Sequence, residues 1–266
     1  MDPQGTSNQI VSIRKVGALA PFRWLASAWN DMRRAPISLL LYGFAIAAWS
    51  FALCAMLIVF NAAFWVLVLT SGFVFIAPML AMGIYEAGRL IELGEKPTLR
   101  KMAIVRSALR QDVAYLGAAL LFIYLFWGRI AQVVYGLSTY RLQHTVLEFF
   151  DFAVGTDEGH AMLISGSLIG GVIAFFTYSL VVVSAPMLLD QRTNVFAAVF
   201  TSLRVINKNF IAMMIWALLI VAFVLASAAT GFLALTVVFP WLGLASWRAY
   251  RDLVSDRAET PLAPND

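Results

Sequence analysis

Three groups of residues have the side chains and spacing that chemistry could use. The segment YRLQHTVLEFFDFAVGTDEGH places His144, Glu148 and Asp151 at i, i+4 and i+7, on one face if the segment is helical. One imidazole and two carboxylates form a donor set for a divalent cation. A polar loop between apolar segments explains the same residues without an ion, so no metal site is expected. The second group is Ile164 to Ser167, Ile-Ser-Gly-Ser inside an apolar run, which has the look of a buried serine nucleophile. A serine needs a base within hydrogen-bond reach, and the two histidines, His144 and His160, both fall outside the apolar runs. Gly166 and Gly170, with Ser167 and Gly171 beside them, are better read as a small-residue face for close helix packing. The third group is charged: Tyr85, Glu86 and Arg89, then Asp190 and Arg192, then Tyr250 and Arg251, each just after an apolar run. Glu86 and Arg89 are i, i+3 neighbours and suit an ordinary surface pair. The alternative is that all seven residues form a polar cluster that closes one mouth of a helix bundle or docks a partner. Metalloprotease, P-loop and dinucleotide signatures are absent, so no catalytic residue, cofactor or enzyme activity is expected.

The elements that must position these residues are set by composition. The 266-residue chain is 61% hydrophobic and 13% charged, whereas soluble domains carry roughly 25% charged residues. Spanning helices need about 20 mainly apolar residues. Runs of that kind cover Ile37–Gly88 (apart from Glu86), Val113–Gly128, Ala161–Leu189, Phe210–Ala229 and Gly231–Trp247. The first is long enough for two spans and is divided at Asn61. The expected fold is therefore all-α, a polytopic bundle of six transmembrane helices near 37–60, 62–85, 113–135, 162–188, 210–229 and 231–250. Residues 1–36 form an arm with an interfacial amphipathic helix, and 251–266 a tail. The first 20 residues lack the continuous apolar core of a cleavable signal. Cys54 is the single cysteine, which excludes a disulfide within one chain.

Of the 19 Lys and Arg residues, 17 fall in the arm, the loops after the second and fourth spans, and the tail. Cytoplasmic loops carry such an excess, so both termini are expected in the cytoplasm. Arg129 is the one charge deep in a span. It lies about 24 Å along its helix from Val113, near the outer interface, where a long side chain can snorkel.

With this topology the second, fourth and sixth spans run inward. Pro78, Pro186 and Pro240 occupy the similar words APML, APML and FPWL near their inner ends. Proline removes a backbone donor and clashes with the preceding turn, so three kinks at comparable depth are expected. Short stripes precede the odd spans: Phe22, Leu25, Trp29 and Met32; Leu99, Met102, Val105 and Leu109; Phe196, Phe200, Leu203 and Ile206. Each is too short to span and suits the cytoplasmic interface. Three parallel hairpins, each an interfacial helix, a span out and a kinked span back, form an internal repeat.

The motifs W-x4-W-N-D-x4-P-x-S-L-x2-Y-G at Trp24 to Gly43 and G-F-x4-P-x-L-x2-G-x-Y-E-x2-R at Gly72 to Arg89, followed by Gly94-Glu95, carry a resemblance. Together with PWLGLASWRAYRDL near the end, they resemble a bacterial family of uncharacterised six-span inner-membrane proteins. The resemblance implies an inner-membrane location and no defined activity. Some members are labelled as a cytochrome c oxidase subunit. A haem-bearing oxidase subunit needs histidines within its spans, and this chain has none there. The expected function is a non-enzymatic integral inner-membrane protein, an accessory or scaffold subunit. The alternative is a small permease or lipid-handling transporter with a cavity between the hairpins. The expected partners are the lipid bilayer and either a membrane protein or a second copy of the chain, with no nucleic acid.

Overall fold

Prolines open the first two helices, where a missing N–H costs nothing because first-turn donors are unpaired in any helix. Helix α1 (Ala20–Met32) has Pro21 in its first turn, and α2 (Pro36–Val59) begins on Pro36. In the computed structural model residues 12–139 and 145–255 are described. The chain continues through α3 (Ala63–Leu80), α4 (Met82–Glu92), α5 (Leu99–Ala103), a 3-10 turn (Arg106–Leu109), α6 (Gln111–Ser138) and α7 (Val146–Gly155). It then forms α8 (Asp157–Val181), α9 (Ser184–Asp190), α10 (Val195–Lys208), α11 (Phe210–Ala229) and α12 (Leu235–Leu253). Thr98, Thr145, Thr156 and Asn194 cap α5, α7, α8 and α10 by accepting a backbone N–H on their side-chain oxygens.

Three helices end in the same hydrogen-bonded turn. After α2 the N–H of Ala62 reaches Leu57 O, after α4 that of Glu95 reaches Leu90 O, and after α11 that of Phe232 reaches Ser227 O. This arrangement needs a left-handed residue just past the helix. Asn61 (φ +52°), Gly94 (φ +74°) and Gly231 (φ +62°) supply it. The apolar run from Ile37 to Gly88 therefore divides at Asn61, as the sequence reading expects.

Among the described residues five helices are long and apolar enough to cross a membrane: Pro36–Val59, Phe64–Glu92, Gln111–Ser138, Asp157–Asp190 and Phe210–Ala229. The second and fourth contain the breaks between α3 and α4 and between α8 and α9. The sixth expected span corresponds to α12, which has a different character. Its 19 residues end with Arg248, Arg251 and Asp252, and 11 of them are buried. It packs against α1, α2, α4, α9 and α11 and is the centre of the molecule. By contrast only three of the 24 residues of α2 are buried, and Trp49 is 74% and Phe51 57% exposed. Water would not tolerate such a face, and hydrocarbon would.

The three prolines stand differently to their helices, and only two of them lie beside a break. Pro78 lies inside α3, three residues before the break at Ala81. Pro186 is the third residue of α9 and follows its break at Val182–Val183. Pro240 lies within α12, which continues unbroken. The carbonyl that Pro240 leaves without an intrahelical donor is Thr236 O, and Gly43 of α2 packs directly on it; a Cβ there would overlap that oxygen.

The amphipathic stripes divide between two environments. Leu25 and Met32 of α1, Met102 and Val105 around α5, and Ile206 of α10 are buried. Phe22, Trp29, Leu99, Leu109, Phe196, Phe200 and Leu203 are exposed. The arm and the tail are also joined. Strand β1 (Ser12–Ile13) pairs antiparallel with β2 (Val254–Ser255). Asn209 holds the arm by donating to Arg14 O and accepting from Val16 N.

Candidate functional site

The polar cluster forms where α1, α4, α9 and α12 meet. Arg248 of α12 donates from Nε to Asp31 Oδ2 of α1 at 2.6 Å and from Nη1 to Glu92 Oε1 of α4 at 3.0 Å. One turn on, Arg251 lies 3.3 Å from Glu92 Oε2 and 3.3 Å from Asp190 Oδ2 of α9. The Tyr250 hydroxyl donates to the same Asp190 oxygen at 2.8 Å. Two guanidiniums on one helix thus each fork between two other elements, a geometry that arginine's planar donor set favours.

Of the seven residues singled out from the sequence, Asp190, Tyr250 and Arg251 meet in this network. Glu86 and Arg89 form a bidentate pair within α4, at 2.8 and 2.6 Å. Glu86 is 9% exposed, which makes the pair more than a surface contact. Tyr85 is buried nearby but turns away from the ion pairs to line a cavity. Arg192 is exposed and joins no ion pair among the described residues. Sequence reasoning missed Asp31, Glu92 and Arg248 as members. Asp31 carried a signal, because it falls on the buried face of α1 with Trp24 and Ala28, and a carboxylate on such a face needs a partner.

Neighbouring contacts reinforce the junction. Arg110, at the start of α6, donates to the carbonyls of Leu188 and Gln191 at 3.0 and 2.8 Å. It thereby satisfies the end of α9, where carbonyls are otherwise unpaired. Trp24 donates to Asp252 at 3.0 Å, and its ring meets Trp216 edge-on at 5.9 Å. Every carboxylate of the network faces a guanidinium, so the arrangement joins helices and presents no free base.

The other sequence candidates behave as separate features. Glu148 and Asp151 lie exposed on α7, and His144 falls outside the described residues. His160 shares a 2.7 Å hydrogen bond with Val154 O. Gly170 packs under the Trp127 ring of α6, where a Cβ would approach within 2.7 Å, and Gly166 lies against Val134. Arg129 is exposed and donates to Gln132 at 3.1 Å. Behind the polar network, between α3, α8, α11 and α12, lies a cavity of about 110 Å³ with a mainly apolar lining.

Residues 65–190 match the family model described as "Predicted integral membrane protein (DUF2189)". The match covers just under half of the chain, from α3 through the last residue of α9. It agrees with the resemblance to an uncharacterised membrane family and describes a predicted integral membrane protein of unknown function. Pro78, Pro186, Glu86, Arg89 and Asp190 lie within the match; α1 and α12, which complete the network, lie outside it. No curated protein and no solved structure matches the chain.

Proposed function

We propose that this protein is a non-enzymatic scaffold or accessory subunit of the bacterial inner membrane that acts through packing surfaces, with both termini cytoplasmic. The observation that carries this reading is the double fork of Arg248 and Arg251, which joins α1, α4, α9 and α12. In a three-hairpin description these helices belong to all three hairpins. Alternating access requires one bundle to rock against another, and a junction shared by every hairpin opposes that motion. The excess of basic residues around this end supports its cytoplasmic placement. The order of short helix, outward helix and inward helix, met three times along the chain, supports six crossings with α12 as a short, protein-covered sixth.

Purification of the full chain in mild detergent, with identification of what co-purifies, tests this function. A partner at reproducible stoichiometry is expected, and its loss when the Arg248 network is cut would tie the surface to the junction. Repeated isolation of the chain alone at all detergent strengths would refute the scaffold. The cavity favours a second reading, lipid handling. Lipid translocation by the protein in reconstituted vesicles, above that of protein-free vesicles, would establish it.

A further inference from the structure

We propose that the cavity between α3, α8, α11 and α12 is an intramembrane site for a single acyl chain whose terminal ester or carboxyl oxygen accepts a hydrogen bond from Tyr85. The proposal goes beyond the scaffold reading, because a static scaffold can hold a lipid as readily as a mobile protein. The body of the site is hydrocarbon: Phe73, Val74 and Ala77 on α3, Val181 on α8, and Ile220 and Val224 on α11 face it. No charged residue lines it. An ion or polar solute would lose its hydration there without recompense, and water enters only where several polar partners await it. An apolar void against lipid forfeits dispersion contacts unless hydrocarbon fills it.

Among the lining side chains the polar groups are three hydroxyls, and only one of these is committed. Tyr178 donates to Met213 O at 2.8 Å. Tyr85 is 5% exposed and lines the cavity, and its hydroxyl has no hydrogen-bond partner among the described residues. Ser246 lines the cavity on α12 and is likewise without a partner among them. Buried hydroxyls normally find partners; Tyr85, at 5% exposed, opens its hydroxyl to the cavity with no hydrogen bond made among the described residues. Tyr85 and Ser246 are also the lining residues nearest the ion-pair end of α4 and α12. From Phe73 to Tyr85 the lining covers 12 helical positions, about 18 Å at 1.5 Å per residue. A slot with an apolar body and a hydroxyl at its polar end fits an amphiphile of the leaflet on that side. The volume of about 110 Å³ is below the roughly 150 Å³ of an apolar cavity that holds one benzene, so the site takes only the short stretch of the chain next to its oxygen.

The test uses the full chain reconstituted in phosphatidylethanolamine–phosphatidylglycerol vesicles with a trace of diazirine-bearing phospholipid. A second arm substitutes a diazirine-bearing fatty acid. Photoadducts are mapped by peptide mass spectrometry, with α2 peptides around Trp49 as the lipid-facing reference. Adducts are expected to concentrate on residues 73–85 and 220–246, and the arm giving the higher yield names the source of the chain. Ala77→Trp fills the slot and should abolish this enrichment while α2 labelling is unchanged. Val224→Phe serves the same purpose from the other wall if the first variant does not fold. Tyr85→Phe keeps the ring and should reduce enrichment about fivefold, the order expected for one net hydrogen bond. Labelling of the cavity peptides no higher than that of α2, or enrichment that survives the filling substitutions or Tyr85→Phe, would overturn the proposal.

Discussion

Replacing Arg248 by methionine should reveal how much the polar junction contributes to stability. The change keeps a long apolar stem and removes the charge between Asp31 and Glu92. Asp31, at 3% exposed, would then face only Arg34, whose guanidinium is 3.9 Å away and largely in solvent. Removing one partner of a fully buried pair costs about 3–5 kcal/mol. The Arg248 side chain is 27% exposed and Glu92 keeps Arg251 at 3.3 Å, so the expected loss is about 2–3 kcal/mol. For a chain of this size that lowers Tm by about 5–10 °C. Asp31→Asn alone should behave similarly, and the Asp31→Asn, Arg248→Met double variant should recover about 1–2 kcal/mol through coupling. Arg34→Ala is the control, because its exposed, long pair is worth at most about 1 kcal/mol. Thermal unfolding of the purified full chain in one detergent, at a fixed scan rate, reads all four. An Arg248→Met shift no larger than that of Arg34→Ala, or fully additive single effects, would refute the junction as the device that joins the helices.

Gly43→Val should lower stability by about 1–3 kcal/mol in the same unfolding assay, because the obstruction is the backbone oxygen of Thr236 and has little room to give. Tyr250→Phe removes one hydrogen bond to a carboxylate and should cost about 1–2 kcal/mol, with Asp190 still held by Arg251. Gly170→Leu should disturb the fit of α8 on Trp127 of α6, whereas Gly171→Leu, which points into open space, should leave unfolding unchanged. Reporter fusions after Asp266 and beside Thr156 should report opposite compartments; matching compartments would defeat the six-crossing topology.

The long apolar helices were legible because hydropathy measures what a membrane selects, and the division at Asn61 was legible because that polar residue interrupts a run too long for one span. The role of α12 was not legible. A helix buried among helices and a helix facing lipid are written in the same apolar letters, so residues 231–250, expected as the sixth span, gave no sign that α12 is covered by protein. Its terminal Arg248, Arg251 and Asp252 were the available sign that it ends in a polar junction. The two proline words were visible, but the position of each break was not. In one copy the helix yields after APML and in the other before it, because neighbouring packing decides which side of a proline gives way. Glu86 and Arg89 were readable as an i, i+3 pair. Of the two partners of Arg251, Asp190 belonged to the expected cluster, whereas Glu92 required knowing that α4 and α9 end side by side. The terminal ladder was invisible for a simpler reason: two-residue strands have no periodicity.

The molecule is held together by different forces at its two ends. Around α1, α4, α9 and α12 the core resembles that of a soluble protein, with Trp24 packed on Trp216 and Trp247 on Tyr250, all four buried. There the exclusion of water drives association, strongly enough to bury the indole N–H groups of Trp216 and Trp247 without partners among the described residues. Farther along the spans no such force exists, because lipid tails are as apolar as the side chains they would replace. Close fit takes its place: Gly72 against Tyr124, Gly170 against Trp127, and the Trp127 indole donating to Ser71 at 3.2 Å. The cavity lies between these regimes, where the polar-end core stops and the lipid-facing packing has not yet closed. A gap at that level disturbs neither the ion-pair junction nor the glycine contacts, so the fold accommodates it without loss of either.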